Sequence, residues 1–156
     1  MNKRNTVKNK LSYLFLVLMM GLSITSWADN GKKSIQTPNA PAPIGTYSQA
    51  IQLGNTIYIS GQIPIDPKTG ELVQGRFNDQ LRQAFLNVIE IAKAAGGTSD
   101  DILKLTIYLQ DLSNFSEINQ VMSDYFREPY PARAVIEIKA LPKNATVEIE
   151  AVMGSM

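Results

Sequence analysis

The stretch PARAVIEIKALP (131–142) decides how the chain folds. Ala134, Ile136 and Ile138 alternate with Arg133, Val135 and Glu137, the period-two pattern of a β-strand with one apolar and one charged face. An arginine thus heads a strand otherwise built for burial. The plain reading is a surface residue whose stem lies over apolar neighbours while its head meets water. The rest of the chain has to say whether it does more.

Outward from that strand, DLSNFSEINQVMSDYF (111–126) predicts a helix, with an apolar stripe at Phe115, Ile118, Met122 and Phe126. Asn119 sits beside the stripe, one turn from Phe115 and from Met122. ILKLTIYL (102–109) predicts a strand. Phe77, Leu81, Phe85, Val88, Ala92 and Ala95 predict a helix over 77–95, with Asn78 or Asp79 as cap and Gly96-Gly97 as stop. TYSQAIQL (46–53) and TIYIS (56–60) flank a Gly54-Asn55 hairpin turn, with Ile57 and Ile59 opposite Thr56, Tyr58 and Ser60. IDPKTGEL (65–72) is a surface turn. In the last strand, TVEIEAVM (146–153), Glu148 and Glu150 share a face opposite Val147, Ile149 and Ala151.

The order β-β-α-β-α-β-β predicts an α+β domain: a mixed sheet with both helices packed on one face. The other face is expected to carry Arg133, Glu137, Glu148 and Glu150. That face is too mixed for a second core, so a neighbouring subunit would cover it, through closed symmetry.

The first residues stand apart. Lys3, Arg4, Lys8 and Lys10 form a basic head, LSYLFLVLMMGLSI (11–24) an apolar run, and Ser26-Trp27-Ala28 a small-residue cleavage pattern. These are the parts of a secretory signal peptide, and the run is shorter than the roughly 20 residues a spanning helix needs. The expected organisation is a signal peptide over 1–28, a proline-rich arm over 29–45 and one domain over 46–156, periplasmic or secreted. Cleavage removes four of fifteen basic residues against fourteen acidic ones, so the balance moves from +1 to −3. Such a mildly acidic domain is a poor nucleic-acid binder.

The chain has no histidine and no cysteine. That excludes disulfides, the usual zinc sites, Ser-His-Asp and Cys-His nucleophiles, and imidazole acid–base steps. Walker, GxGxxG and EF-hand patterns are absent. Chemistry here is left to carboxylates, arginine, tyrosine, hydroxyls, amides and backbone groups.

PIGTYSQAI, ISGQIPIDPKTGEL, DLSNFSEIN, PYPARAVIEI and LPKNATVEIEA follow one another in register across 34–153. Together they resemble the reactive-intermediate deaminase (Rid) family, in its RidA branch of 2-iminobutanoate/2-iminopropanoate deaminases. The resemblance implies a homotrimer of chorismate-mutase-like subunits with three sites between chains. It also implies hydrolysis of enamine and imine products of amino-acid enzymes to 2-oxo acids and ammonia, without metal or cofactor. Carried over, Arg133 grips the substrate carboxylate, with Asn119, Gly61 and a backbone group of Val135 beside it. Glu148, Tyr47 and Ser60 become the catalytic set. The chain departs from the family pattern at Thr46, where proline is usual, at Ala134, and in its export signal.

The residue chemistry agrees with that implication. A guanidinium binds a carboxylate through two parallel hydrogen bonds, fixing its orientation as well as its charge. A partly buried carboxylate with a raised pKa can handle water and a proton; by sequence Glu150 is as good a carboxylate as Glu148. Two rival readings stay open: a non-catalytic trimer that binds small carboxylates, and an extracytoplasmic holdase, whose activity would survive loss of Arg133. A nuclease or translation inhibitor is disfavoured by the acidic balance, the export signal and the lack of histidine.

Overall fold

The computed structural model describes residues 31–155; the expected signal peptide lies outside them. Six strands build one sheet: β1 (Lys32–Ile35), β2 (Ala50–Leu53), β3 (Thr56–Gln62), β4 (Ile102–Leu109), β5 (Ala132–Glu137) and β6 (Val147–Gly154). Their spatial order is β1-β2-β3-β6-β4-β5. Every pairing is antiparallel except β4 with β5. Two helices, α1 (Phe77–Ala94) and α2 (Phe115–Met122), pack on one face, as the apolar periodicity requires.

Leu81, Phe85, Val88 and Ile91 of α1 are fully buried against Ile57, Leu105, Ile107 and Ile149 of the sheet. The Phe85 ring meets those of Tyr125 and Phe126 at centroid distances of 5.7 and 5.6 Å, in the range of favourable aromatic pairs. Asp79 serves the start of α1 from its third position: its carboxylate accepts the Arg76 N–H at 3.1 Å. This is the reach-back arm of a capping box, so Arg76 rather than Asn78 or Asp79 is the cap residue. Gly96, at φ +89°, turns the chain after the helix, where a side chain would be strained.

Three expectations change. The arm over 29–45 contains β1, which pairs Lys32 with Leu53 and Ile35 with Ala50. Only Ile35 of this strand is buried, so an edge strand left almost no apolar alternation to detect. The helix expected over 111–126 is a 3-10 turn, Leu112–Asn114, followed by α2, which ends at Met122. Asp111 caps that turn by accepting the Ser113 N–H at 2.8 Å.

The third change concerns β5. Its parallel register sets Arg133 beside Leu105, Val135 beside Ile107 and Glu137 beside Leu109. Those three β4 residues are fully buried under the helices. Arg133, Val135 and Glu137 therefore point to the helix side of the sheet. Glu148 and Glu150 pair with Tyr108 and Thr106 on the open face, together with Ala134 and Ile136. The expectation that Arg133 and Glu137 share a face with the two glutamates is overturned. Alternation separates two faces of a strand, but only register says which one meets the core.

Candidate functional site

Between Ile59 and Gln62 the β3–β6 register slips: Ile59 pairs with Ala151 and Gln62 with Ile149, so Ser60 and Gly61 together oppose Glu150. This β-bulge bends the strand beside a cavity of about 330 Å³. Tyr47, Ser60, Gly61 and Glu148 line the cavity, with apolar walls from Ile44 and Ile63. The Glu148 side chain, two residues along β6 from the one opposite the bulge, reaches back to it, and a Cβ at Gly61 would fall on its carboxylate. Glycine is needed here for room, since the carboxylate occupies the space a methyl would take.

Two buried amides of α1 hold irregular segments of the chain, one of them the Ile63–Ile65 wall of the cavity. Asn87 of α1 donates to the carbonyls of Ile63 and Ile65 at 3.1 and 3.0 Å. Gln80 accepts from the Thr146 N–H at 3.1 Å and from its hydroxyl at 2.7 Å. Ser60 donates its hydroxyl to the Ser48 carbonyl at 2.7 Å, and the Tyr47 hydroxyl accepts the Ile44 N–H at 3.2 Å.

Burial pushes the Glu148 carboxyl above its ordinary pKa, and the neighbouring charge of Glu150 pushes it further the same way. Tyr108, paired with Glu148 across the strands, is also shifted upward, by burial first and then by Glu150 and Glu148. Glu150 is exposed and lines no part of the cavity. By position, Glu148 is the carboxylate that meets whatever the cavity holds.

Arg133 stands elsewhere. Its Nη1 donates to Asn119 Oδ1 at 2.9 Å and to Met122 Sδ at 3.1 Å. Its Cζ lies 5.6 Å from the Phe115 ring centroid, within cation–π range. These three partners are spaced four and three residues apart on one stripe of α2, so the helix cradles the guanidinium from one side. Arg133 also lines a second cavity of about 480 Å³, together with Asn119, Ser123 and Tyr130. No carboxylate among the described residues lies within ion-pair distance of Arg133. A partly buried guanidinium that lines a cavity and has no carboxylate partner among the described residues has the chemistry to take an anion.

The residues singled out from sequence thus fall into two groups. Tyr47, Ser60, Gly61 and Glu148 come together in the first cavity; Arg133 and Asn119 come together in the second. The Val135 side chain packs against the core and lines neither cavity. Sequence reasoning missed Tyr108, Gln80 and Asn87. Each sits in a segment read only for its apolar rhythm, where a polar residue gave no separate signal.

The family model described as Endoribonuclease L-PSP matches residues 37–154. A RutC family protein of Pyrococcus horikoshii is 51% identical over 121 residues, 78% of this chain and 96% of that protein. A 2-iminobutanoate/2-iminopropanoate deaminase of Dermatophagoides farinae is 45% identical over 122 residues, 78% of this chain and 95% of its own length. Among solved structures, RidA of the Antarctic bacterium Psychrobacter superposes with a TM-score of 0.76 at 48% identity. That match covers 78% of this chain and 98% of that one.

A raised carboxyl pKa means that the folded chain holds the Glu148 proton more tightly than the unfolded chain does. The stability linked to this group is complete below the ordinary glutamate range and is lost as pH climbs through the raised folded value. Site-resolved carbon-13 titration is expected to place the Glu148 midpoint above the ordinary glutamate range. Gly61→Ala, which drives the carboxylate out of its niche, should bring the midpoint back down. A Glu148 midpoint within or below the ordinary glutamate range in the unsubstituted chain contradicts this reading.

Proposed function

The chain belongs to the Endoribonuclease L-PSP family, which includes the RutC and Rid proteins, and on that premise we propose that it hydrolyses reactive 2-imino acids and their enamine tautomers to 2-oxo acids and ammonia. The observation that carries this reading is the pairing of two unmatched groups. Arg133 is a cation without a counterion, and Glu148 is a carboxyl held toward its protonated form. A 2-imino acid has a carboxylate for the first and, on the adjacent carbon, a C=N bond for the second.

In this scheme the Arg133 fork takes the substrate carboxylate through two parallel hydrogen bonds, while Asn119 holds its Nη1 edge in place. The Glu148 carboxyl gives its proton to the imine nitrogen, which makes the carbon electrophilic and leaves a carboxylate. Glu148 accepts a proton from water as the oxygen bonds to that carbon and the C=N electron pair moves to nitrogen. The same carboxyl returns that proton to nitrogen, the C–N bond breaks and ammonia leaves, and the carboxylate takes the hydroxyl proton as the C=O bond forms, which restores the starting carboxyl. A carboxyl with a pKa raised toward working pH serves both directions of that transfer. Tyr47 and Ser60, at the same cavity, hold the water or the substrate by hydrogen bonds.

Arg133 and Glu148 of one chain lie on opposite faces of its sheet, too divided to flank a molecule of a few heavy atoms. We therefore propose that the working site forms between chains of a closed homotrimer, one chain supplying Arg133 and its neighbour Glu148. The open sheet face supports this: Tyr58 and Ile136 there are 54% and 43% exposed, an apolar area suited to contact with another copy. No metal or cofactor enters the scheme. The ribonuclease in the family description fits this chain less well, because RNA transesterification commonly uses an imidazole acid–base pair and the chain has no histidine. The basic head and apolar run ahead of residue 29 support export to the periplasm or beyond.

Coupling the purified protein to a threonine dehydratase, with 2-oxobutanoate formation followed over time, tests the reaction. Arg133→Ala is expected to lower kcat/KM by about 100-fold, the scale of a lost charge-assisted contact, with Arg133→Lys between the two. Wild type no faster than Arg133→Ala would reject the enzyme. Saturable 2-oxobutanoate binding without turnover would point instead to the carboxylate binder.

A further inference from the structure

One wall of the Glu148 cavity is made by Pro41, Ala42 and Ile44, in a stretch that belongs to neither helix nor strand. Pro38, Pro41 and Pro43 have no N–H, so this wall has little backbone bonding of its own. Something else must hold it. Gln49, 2% exposed and just before β2, supplies four bonds to 37–41, while the Tyr47 hydroxyl takes the Ile44 N–H. Its Oε1 accepts the Thr37 N–H at 2.7 Å, and its Nε2 donates to the carbonyls of Thr37, Ala40 and Pro41 at 3.0, 3.1 and 2.9 Å. Its own carbonyl accepts the Ser60 N–H at 3.0 Å. The residue therefore joins the proline-rich wall to the β3 bulge on the opposite side, although it lines no part of the cavity itself.

We infer that Gln49 is the positioning residue that sets the separation between the proline-rich wall and the Ser60–Gly61 wall, and so the fit of the substrate in the Glu148 cavity. The inference rests on the hydrolase reading for its substrate but on the backbone bonds alone for its mechanism. A wall held by side-chain bonds gives up uniform binding when released, so the loss belongs in KM.

Two readouts test it. Gln49→Met keeps the length of the side chain and removes every bond to the wall. It is expected to raise KM for 2-iminobutanoate five- to tenfold with kcat within about twofold. Asn39→Ala, which removes only the outer tether from Asn39 Nδ2 to Glu90 Oε2 at 3.2 Å, should leave both constants unchanged. A Gln49→Met protein that melts lower but keeps the wild-type KM would overturn the inference by making Gln49 merely structural. The second readout needs neither turnover nor a variant. In the unsubstituted protein the Thr37 amide should exchange slowly, and saturation with 2-oxobutanoate should slow it further, because ligand binding disfavours opening of the wall it contacts. Fast Thr37 exchange, or exchange unmoved by bound 2-oxobutanoate, overturns it even if the hydrolase reading stands. Failure of the hydrolase reading is separate: it is absence of turnover with Thr37 still protected.

Discussion

The parallel pairing of β4 with β5 is the constraint on which the rest depends. It matches Arg133 to Leu105 and so turns the guanidinium toward the helices rather than toward the open face of the sheet. A buried arginine facing only Leu105 and Ile107 would be intolerable, because an uncompensated charge in an apolar setting is expensive. It is tolerated because β5 is the edge strand and α2 offers an amide oxygen, a thioether and an aromatic face at the spacing of one helical stripe. The same register leaves Glu148 on the other side of the sheet, beside Tyr108. One chain therefore holds Arg133 and Glu148 on opposite faces of its sheet, which is what the proposed site between chains would have to bring together.

The carboxylate half is shaped by a different local rule. The bulge at Ser60–Gly61 removes one residue's worth of pairing and opens a niche, and glycine leaves it unfilled so that Glu148 can lie within it. Burial then makes the charge on Glu148 costly, which is what lifts its pKa. Around the niche, Gln49, Gln80 and Asn87 do with side-chain amides what the irregular segments at 37–41, 146 and 63–65 lack in backbone ladders. The irregular segments are therefore held by buried amides, and the core by apolar packing.

Much of this was legible in the sequence, and the limits have physical causes. Both helices and five strands follow from apolar periods of 3.6 and 2, and the faces of β3 and β6 came out as their alternation implied. The stretch PARAVIEI also announced two faces, but not which one met the helices, because that depends on pairing with a strand 28 residues away. The edge strand Lys32–Ile35 carries too few apolar residues to betray itself. Asn119 was noticed for its place beside the stripe of Phe115 and Met122, and that stripe is what receives Arg133. The choice between Glu148 and Glu150 was open in the alternation, which gives them one face; the bulge at Gly61 puts Glu148, and not Glu150, at the cavity.

The central claim is that Arg133 and Glu148 work together only across two chains. The most direct measurement is imine hydrolysis by mixed assemblies, made by co-expressing differently tagged Arg133→Ala and Glu148→Ala chains and isolating those that carry both tags. Each parent should be nearly inactive. If one chain supplies arginine and its neighbour the carboxylate, every mixed trimer regains one intact site in three, so the isolated assemblies should show about a third of wild-type activity. Mixed assemblies as inactive as their parents would contradict the shared site.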